Sequence, residues 1–382
     1  MRKTFDEIVL FARTGLNPRQ NFKLGQGNNK YVTIKNIKNN KLIIDDNTDT
    51  IDNEAIRLIH KRSQIKKGDI LFASIGRMGD IYIIEEEPLG WDINESVFAF
   101  TLDTSIIRQK YFNYIFKAKS TLDYLMANSS GSTFKSIKMN QLKKMIFDIP
   151  QLEKQDQIVT ILDRICNKIE LQKQEIFLLD NLIKARFAEN FGDMYLNTLS
   201  WREVQLETVA DIASGITKGR KIKEQKLIEV PYMAVSNVKD GYIDWTAIKT
   251  IEATEQEIEQ YRLLPDDVLM TEGGDPDKVG RGAIIRKPLE NCIHQNHIFR
   301  VRLNEKLILP SFFAEYLQHQ RSKRYFLGCA KQTTGIASIN MKQLRALPVL
   351  LPSLDLQQQF SDFVKATDKS KIVSETEYYI AI

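Results

Sequence analysis

The stretch whose residue types most suggest chemistry is the glycine-rich segment 271–284, TEGGDPDKVGRGAI. Asp275, Asp277 and Lys278 are what a metal-dependent nuclease uses: carboxylates for a cation and a lysine beside the nucleophile. The glycines superficially resemble a phosphate cradle, but no Gly-Lys-Ser/Thr follows them and no long helical pattern starts there. The four histidines, His60, His294, His297 and His319, lack zinc-ligand spacing, so no metal ligands are assigned. His294 and His297 could share one side of a helix, yet IHQNHIFRV reads as loop into strand, which favours a core or surface role. There is no Gly-x-Ser-x-Gly elbow and no Gly-x-Gly-x-x-Gly loop after a strand. Cys166, Cys292 and Cys329 show no pairing or metal spacing and fit a reducing cytoplasm.

Two basic stretches offer charge instead of catalysis. Arg57, His60, Lys61, Arg62, Lys66 and Lys67 form one, and TKGRKIKEQK at 217–226 forms the other. Lysines and arginines in loops neutralise phosphates, and polar neighbours can reach base edges. Either stretch alone reads better as a solvated surface loop, and one in each copy of the repeat raises the nucleic-acid reading. The net charge of +5 and pI near 8.8 lean toward an anionic partner without being extreme. With 43% hydrophobic and 27% charged residues over 382 positions, the chain has the make-up of two or three folded domains. The N-terminus MRKTFDEIVLFARTG lacks the apolar run of a signal peptide, and no segment has the length of a membrane span.

These candidates sit in a unit written twice. SIKMNQLKKMIFDIPQLEKQDQIV from Ser136 reappears as SINMKQLRALPVLLPSLDLQQQF from Ser338, with Met139/Met341, Leu142/Leu344, Pro150/Pro352 and Gln155/Gln357 each 202 positions apart. Upstream, Gly15 matches Gly215, YVTIKNIK at Tyr31 matches YMAVSNVK at Tyr232, and GDIL at Gly68 matches DDVL at Asp266. Such a long period means duplicated domains, not a solenoid. The first copy's counterpart of the glycine-rich loop, FASIGRMGDIYI at Phe72, carries no matching acidic set, so a nuclease site would exist in one copy only. A tight turn presenting Arg281, or Arg77 in the first copy, to a ligand is the preferred reading.

Between the copies lies a long helical pattern. In 151–190, apolar residues recur at Ile158, Leu162, Ile165, Ile169, Ile176, Leu179 and Ile183, with Gln172 in the one missed slot. A period of 3.5 predicts a narrow seam wanting a partner helix, and the segment would be roughly 55–60 Å long. Around it, runs such as 31–37, 41–44, 69–73 and 81–84 read as strands, and 109–126 as one helix packed on them. The expected architecture is α+β: recognition domain 1–150, spacer helix 151–195, recognition domain 196–352, and a shortened second helix 353–382. Phe360 and Val364 keep the second seam, but Thr367 and Lys371 fall in its next slots. A helix leaving each globular part toward the other implies an antiparallel pair and a pseudo-twofold arrangement.

Together, SGSTFKSIKMNQLKKMIFDIPQLEKQDQIV, TEGGDPDKVGRGAI, QTTGIASINMKQLRALPVLLPSLDLQQQF and ATDKSK resemble the DNA-specificity subunit of type I restriction–modification enzymes. The resemblance implies two target-recognition domains, each reading half of a split duplex sequence, and no catalysis of the chain's own. It implies methyltransferase and motor–nuclease subunits as partners, with S-adenosylmethionine, ATP and Mg²⁺ belonging to them, and a cytoplasmic location. On that reading the base-contacting candidates are Asn36, Lys38 and Arg77, and in the second copy Asn237, Lys239 and Arg281. A metal-dependent nuclease and a helical adaptor that binds no DNA are the alternatives.

Overall fold

The computed structural model describes residues 1–382 except 133, 221–225, 276–278, 334–335 and 382, and side chains except those and 332, 333, 336 and 372–381. The chain divides into two compact units, Met1–Asn167 and Lys168–Ile382, with the boundary inside the central helix Leu152–Phe191.

The duplication holds strand for strand in the two larger sheets of each unit. In the first unit an antiparallel sheet runs in the order Val9–Thr14, Val97–Leu102, Ile70–Ala73, Ile81–Ile83. In the second unit Ala210–Ser214, Ile298–Leu303, Asp267–Thr271 and Gly282–Ile285 repeat it. A smaller sheet accompanies each: Thr50–Ile51, Asn29–Val32 and Trp91–Ile93, then Lys249–Ala253, Ile228–Met233 and Ile293–His294, the last pair of each being parallel. Ile70–Ala73 and Asp267–Thr271 are buried along their whole length, as near-continuous apolar runs such as ILFA require. Phe72, Phe100, Phe112 and Phe116 fill the first core, with the Phe112 and Phe116 rings 4.5 Å apart.

The single helix expected over 109–126 is two, Gln109–Lys117 and Lys119–Ala127, separated at Ala118, whose ψ of 138° is extended. The bend lets Phe112 and Phe116 from one helix and Leu125 from the other all reach the core. His319 makes the same break between Pro310–Gln318 and Gln320–Cys329.

Both copies bury one carboxylate under the main sheet and satisfy it differently. Asp69 is fully buried, caps the preceding turn by accepting from the Lys66 amide at 3.1 Å, and pairs with Arg13 at 2.7 Å and Thr101 at 2.6 Å. Asp267 accepts from the Leu264 amide at 2.7 Å, but its guanidinium is Arg302, at 2.8 Å through two nitrogens. Strand register puts Arg302 at the place of Thr101 and Ala213 at the place of Arg13. The arginine has moved to the adjacent strand.

A buried glutamine joins each helix to its domain. Gln155 accepts from the Arg108 amide and donates to the Ile106 and Pro150 carbonyls, each at 2.8 Å. Gln357 does the same with the Leu309 amide at 2.8 Å, the Pro352 carbonyl at 2.9 Å and the Leu307 carbonyl at 3.3 Å. Neither side chain is exposed. Gln357→Ala strands an N–H and two carbonyls away from water, at roughly 1–3 kcal/mol for each group left unpaired. Urea unfolding of the variant should show a loss of that order; a loss below about 0.5 kcal/mol would mean that water or a backbone shift replaces the amide.

Within the second unit the two long helices are antiparallel. Phe360 packs on Phe191 and Phe187, whereas Lys371, further along Leu354–Ala381, reaches back to Asp180 at 2.6 Å. Of the expected seam, Gln172 and Ile183 are buried, and Ile158, Leu162, Ile165, Ile169, Ile176 and Leu179 are half-buried. The seam also continues to Phe187, which stacks on Phe312 with centroids 5.5 Å apart, and to Phe191, which meets Phe312 edge-on at 4.8 Å. The break expected at Thr367 and Lys371 is corrected. Thr367 is buried with its hydroxyl donating to the Phe363 carbonyl at 2.9 Å, and Lys371 is anchored by Asp180.

Candidate nucleic-acid interface

The six expected contact residues fall on two loops per unit, and the fold brings each pair of loops together. In the first unit Arg77 donates to the Ile37 carbonyl at 3.2 Å, and its Nε lies 3.4 Å from Asp80. It therefore ties its own turn to the loop carrying Asn36 and Lys38. Burial raises the Asp80 pKa, opposed by the positive charges of Arg77 and Lys117. In the second unit the Gly282 carbonyl, next to Arg281, accepts from the Gly241 amide and the Gln318 side chain, each at 3.0 Å. Arg281 is thus held beside the loop that carries Lys239.

The asparagines require a correction. Asn237 is 3% exposed; its oxygen accepts from the Ala234 amide at 3.0 Å, and its nitrogen donates to the Asp244 and Ala247 carbonyls at 2.9 and 3.2 Å. Asn36 likewise accepts from the Thr33 amide at 2.9 Å and donates to the Ile43 carbonyl at 2.9 Å and the Thr48 hydroxyl at 3.1 Å. An amide so committed shapes its loop and has nothing left for a base edge.

The basic side chains differ among themselves. Lys38 is exposed and takes no ion pair among the described residues, while Lys239 lies 3.7 Å from Asp244. The Arg281 side chain is half-buried, and its buried Nε has no hydrogen-bond partner among the described residues. Sequence reasoning missed Tyr242 and Trp245, which stand 60% and 38% exposed on the Lys239 loop; Ile43 and Ile44, at 44% and 37%, take that place in the first unit. Apolar residues at the tip of a polar loop were the available signal. Such tips suit thymine methyl groups and base faces.

The other candidates move apart. Arg220, from the second basic stretch, is locked onto Glu257 and the Glu252 carbonyl, which pulls the Glu257 pKa down to about 2, and residues 221–225 lie outside the described residues. Asp277 and Lys278 also lie outside them, while Asp275 is described. His294 is buried against the Ile298 carbonyl at 3.1 Å, and burial drives its pKa down to about 4, so it is a neutral core residue. His297 is instead half-exposed and pairs with Glu272. Among the described residues no cluster of metal-binding side chains occurs, and no helix is long and apolar enough to cross a membrane.

Residues 3–180 and 199–382 both match the family model for the type I restriction modification DNA specificity domain. The chain is 29% identical over 182 residues to a putative type I restriction enzyme MjaX specificity subunit of Methanocaldococcus jannaschii, a match covering 47% of this chain and 43% of that protein. It is 22% identical over 343 residues to the EcoKI specificity subunit of Escherichia coli, covering 86% of this chain and 73% of that one. Among solved structures, the S subunit of a type I restriction–modification system from M. genitalium superposes with TM-score 0.57 at 16% identity, over 100% of this chain and 92% of that one. A chain from a structural study of type I complex assembly and conformational transition gives 0.54 at 16% identity, over 100% and 96%. These likenesses show a shared fold.

Proposed function

Because this chain belongs to the type I restriction modification DNA specificity family, we propose that it is the specificity subunit of such a complex, reading a two-part duplex target with one domain on each half. The observation that carries this is the shared strand order of the two larger sheets in each unit, with a loop pair at the same place in each copy, each presenting an arginine beside a lysine-bearing loop. Two reading surfaces on a duplicated chain match a target whose halves face opposite strands. The chain carries out no catalysis; S-adenosylmethionine, ATP and Mg²⁺ serve the methyltransferase and motor–nuclease subunits it holds in the cytoplasm. Leu171, Leu178 and Leu182, 65%, 63% and 48% exposed, follow one line of the central helix away from its seam, and we assign the methyltransferase contact to that line.

Co-expression with a methyltransferase subunit and methylome sequencing tests the reading. A single bipartite methylated motif is expected. Arg281→Ala should relax one half of it alone, since an arginine–guanine pair discriminates by about 1–3 kcal/mol and a phosphate contact does not. Relaxation of both halves, or of neither, overturns the Arg281 assignment. DNA cleavage by the lone chain with Mg²⁺ would support the nuclease instead, and no DNA binding even with methyltransferase subunits would support the adaptor.

A further inference from the structure

The first unit contains a groove of about 980 Å³ that the duplicated design does not account for. One wall is the helix Asn53–Ser63, where Arg57, His60 and Lys61 share a face by their spacing of three and four. The lining is also apolar and aromatic: Trp91, Phe11 at 59% exposure and Leu89 at 86%. The groove's volume lies in the range of small-ligand sites, and a cationic wall together with an aromatic lining is the composition that a phosphorylated aromatic ligand selects.

The charges in the groove are largely unspent. Arg57, Lys61 and Lys66 make no ion pair among the described residues, whereas Arg13 at the groove's edge is committed to Asp69 and to the Gln64 carbonyl. Of the two acidic residues present, Glu87 accepts from the Lys67 amide, and Asp92 is wholly buried. Asp92 accepts from the Ile93 amide at 2.8 Å and lies 3.1 Å from His60 Nδ1. A buried carboxylate on one ring nitrogen fixes the imidazole and leaves Nε2 as the nitrogen free to meet a ligand. Among the described residues of the second unit the corresponding helix Glu255–Tyr261 is acidic, and Arg220 closes on Glu257.

We propose that this groove binds a nucleoside phosphate, with the base against Trp91 and Phe11 and the phosphates on Arg57 and Lys61. The same chemistry is offered by a free nucleotide and by a nucleotide of a DNA strand, and competition separates the two sources. The full chain is titrated with ADP by calorimetry and by tryptophan fluorescence, with Trp91→Phe assigning the optical signal among the three tryptophans. ADP is expected to bind, and Arg57→Glu and Lys61→Glu, both at exposed positions, should each weaken it by about tenfold or more. Displacement of ADP by duplex DNA carrying the target assigns the site to a strand nucleotide; simultaneous binding assigns it to a free one. Absence of ADP binding overturns the proposal, as does binding unaltered in both variants. Pyrophosphate binding as tightly as ADP also overturns it, because the aromatic wall would then contribute nothing. Because the groove shares no residue with the target-reading loops, failure here leaves the methylated motif, and the reading based on it, untouched.

Discussion

Gly215→Ala is expected to unfold the second recognition domain, and Gly15→Ala the first. A Cβ at 215 would stand 1.9 Å from the His294 carbonyl oxygen, and one at 15 would stand 1.7 Å from that of Ile93. Ordinary carbon contacts lie near 3.5–4.0 Å, so the chain would have to move by well over an ångström. Neither carbonyl is free to retreat. Ile93 belongs to a strand in parallel register with Val32, and His294 to one in register with Met233 and bonded to the Ile216 amide at 2.8 Å. Relief therefore requires opening the parallel pair that closes each small sheet. A loss above about 4 kcal/mol is expected, which is comparable with the whole stability of many domains. Gly25→Ala is the control: at φ +77° it incurs left-handed strain, but nothing lies within 4 Å, so about 1 kcal/mol is expected. Circular dichroism and urea titration distinguish them, and a Gly215→Ala protein as stable as Gly25→Ala would refute the close-approach argument.

The second large effect concerns target geometry. Four residues inserted after Lys173 lengthen the central helix by about 6 Å and turn its C-terminal half by roughly 40° relative to the N-terminal half. The register of the helix pair sets that position: Phe360 against Phe191 and Lys371 against Asp180 both lie on one side of it and are kept, while buried Gln172 lies on the other. A four-residue insertion is also one that coiled coils absorb by local unwinding. If the helix spaces the two recognition domains, the methylated motif should keep both halves and gain one or two base pairs between them, at about 3.4 Å per pair along each strand. Methylome sequencing of the insertion strain gives the answer. Altered half-sites with an unaltered gap would make the helix a reader of sequence, contrary to this expectation.

What the sequence disclosed depended on whether a residue's job leaves a trace in spacing. The duplication, the glycine pair and the glutamine pair were visible because identical geometry demands identical residues at both copies, as at Gln155 and Gln357. The helix seam was visible because its period is regular. The asparagines were misread: a polar residue in a matched loop looks the same whether it faces a ligand or, like Asn237, spends its amide on the loop itself. Lys371 was misread for a related reason, because a lysine in a seam slot reads as a break until Asp180 is found opposite it. Of the groove at Trp91 the sequence showed only the basic stretch that includes Arg57, His60, Lys61 and Lys66, and nothing of its aromatic lining. Its lining comes from separate segments of the chain, around Phe11, Lys61 and Leu89, with no common motif.

The displaced arginine bears on how such chains can be shuffled. A chimera crossing over between the buried aspartate and the next strand of the main sheet would inherit both Arg13 and Arg302, crowding two guanidinium groups on one carboxylate. The reciprocal chimera would inherit Ala213 and Thr101, leaving a buried charge with no counter-ion at about 3–5 kcal/mol. Half-domains are thus mutually incompatible parts. The proline–glutamine junctions at 150–155 and 352–357, by contrast, present the same three hydrogen bonds in both copies. Recombination that exchanges whole recognition domains at those junctions yields foldable offspring with new pairings of half-sites, and the fold thereby confines viable variation to cassettes.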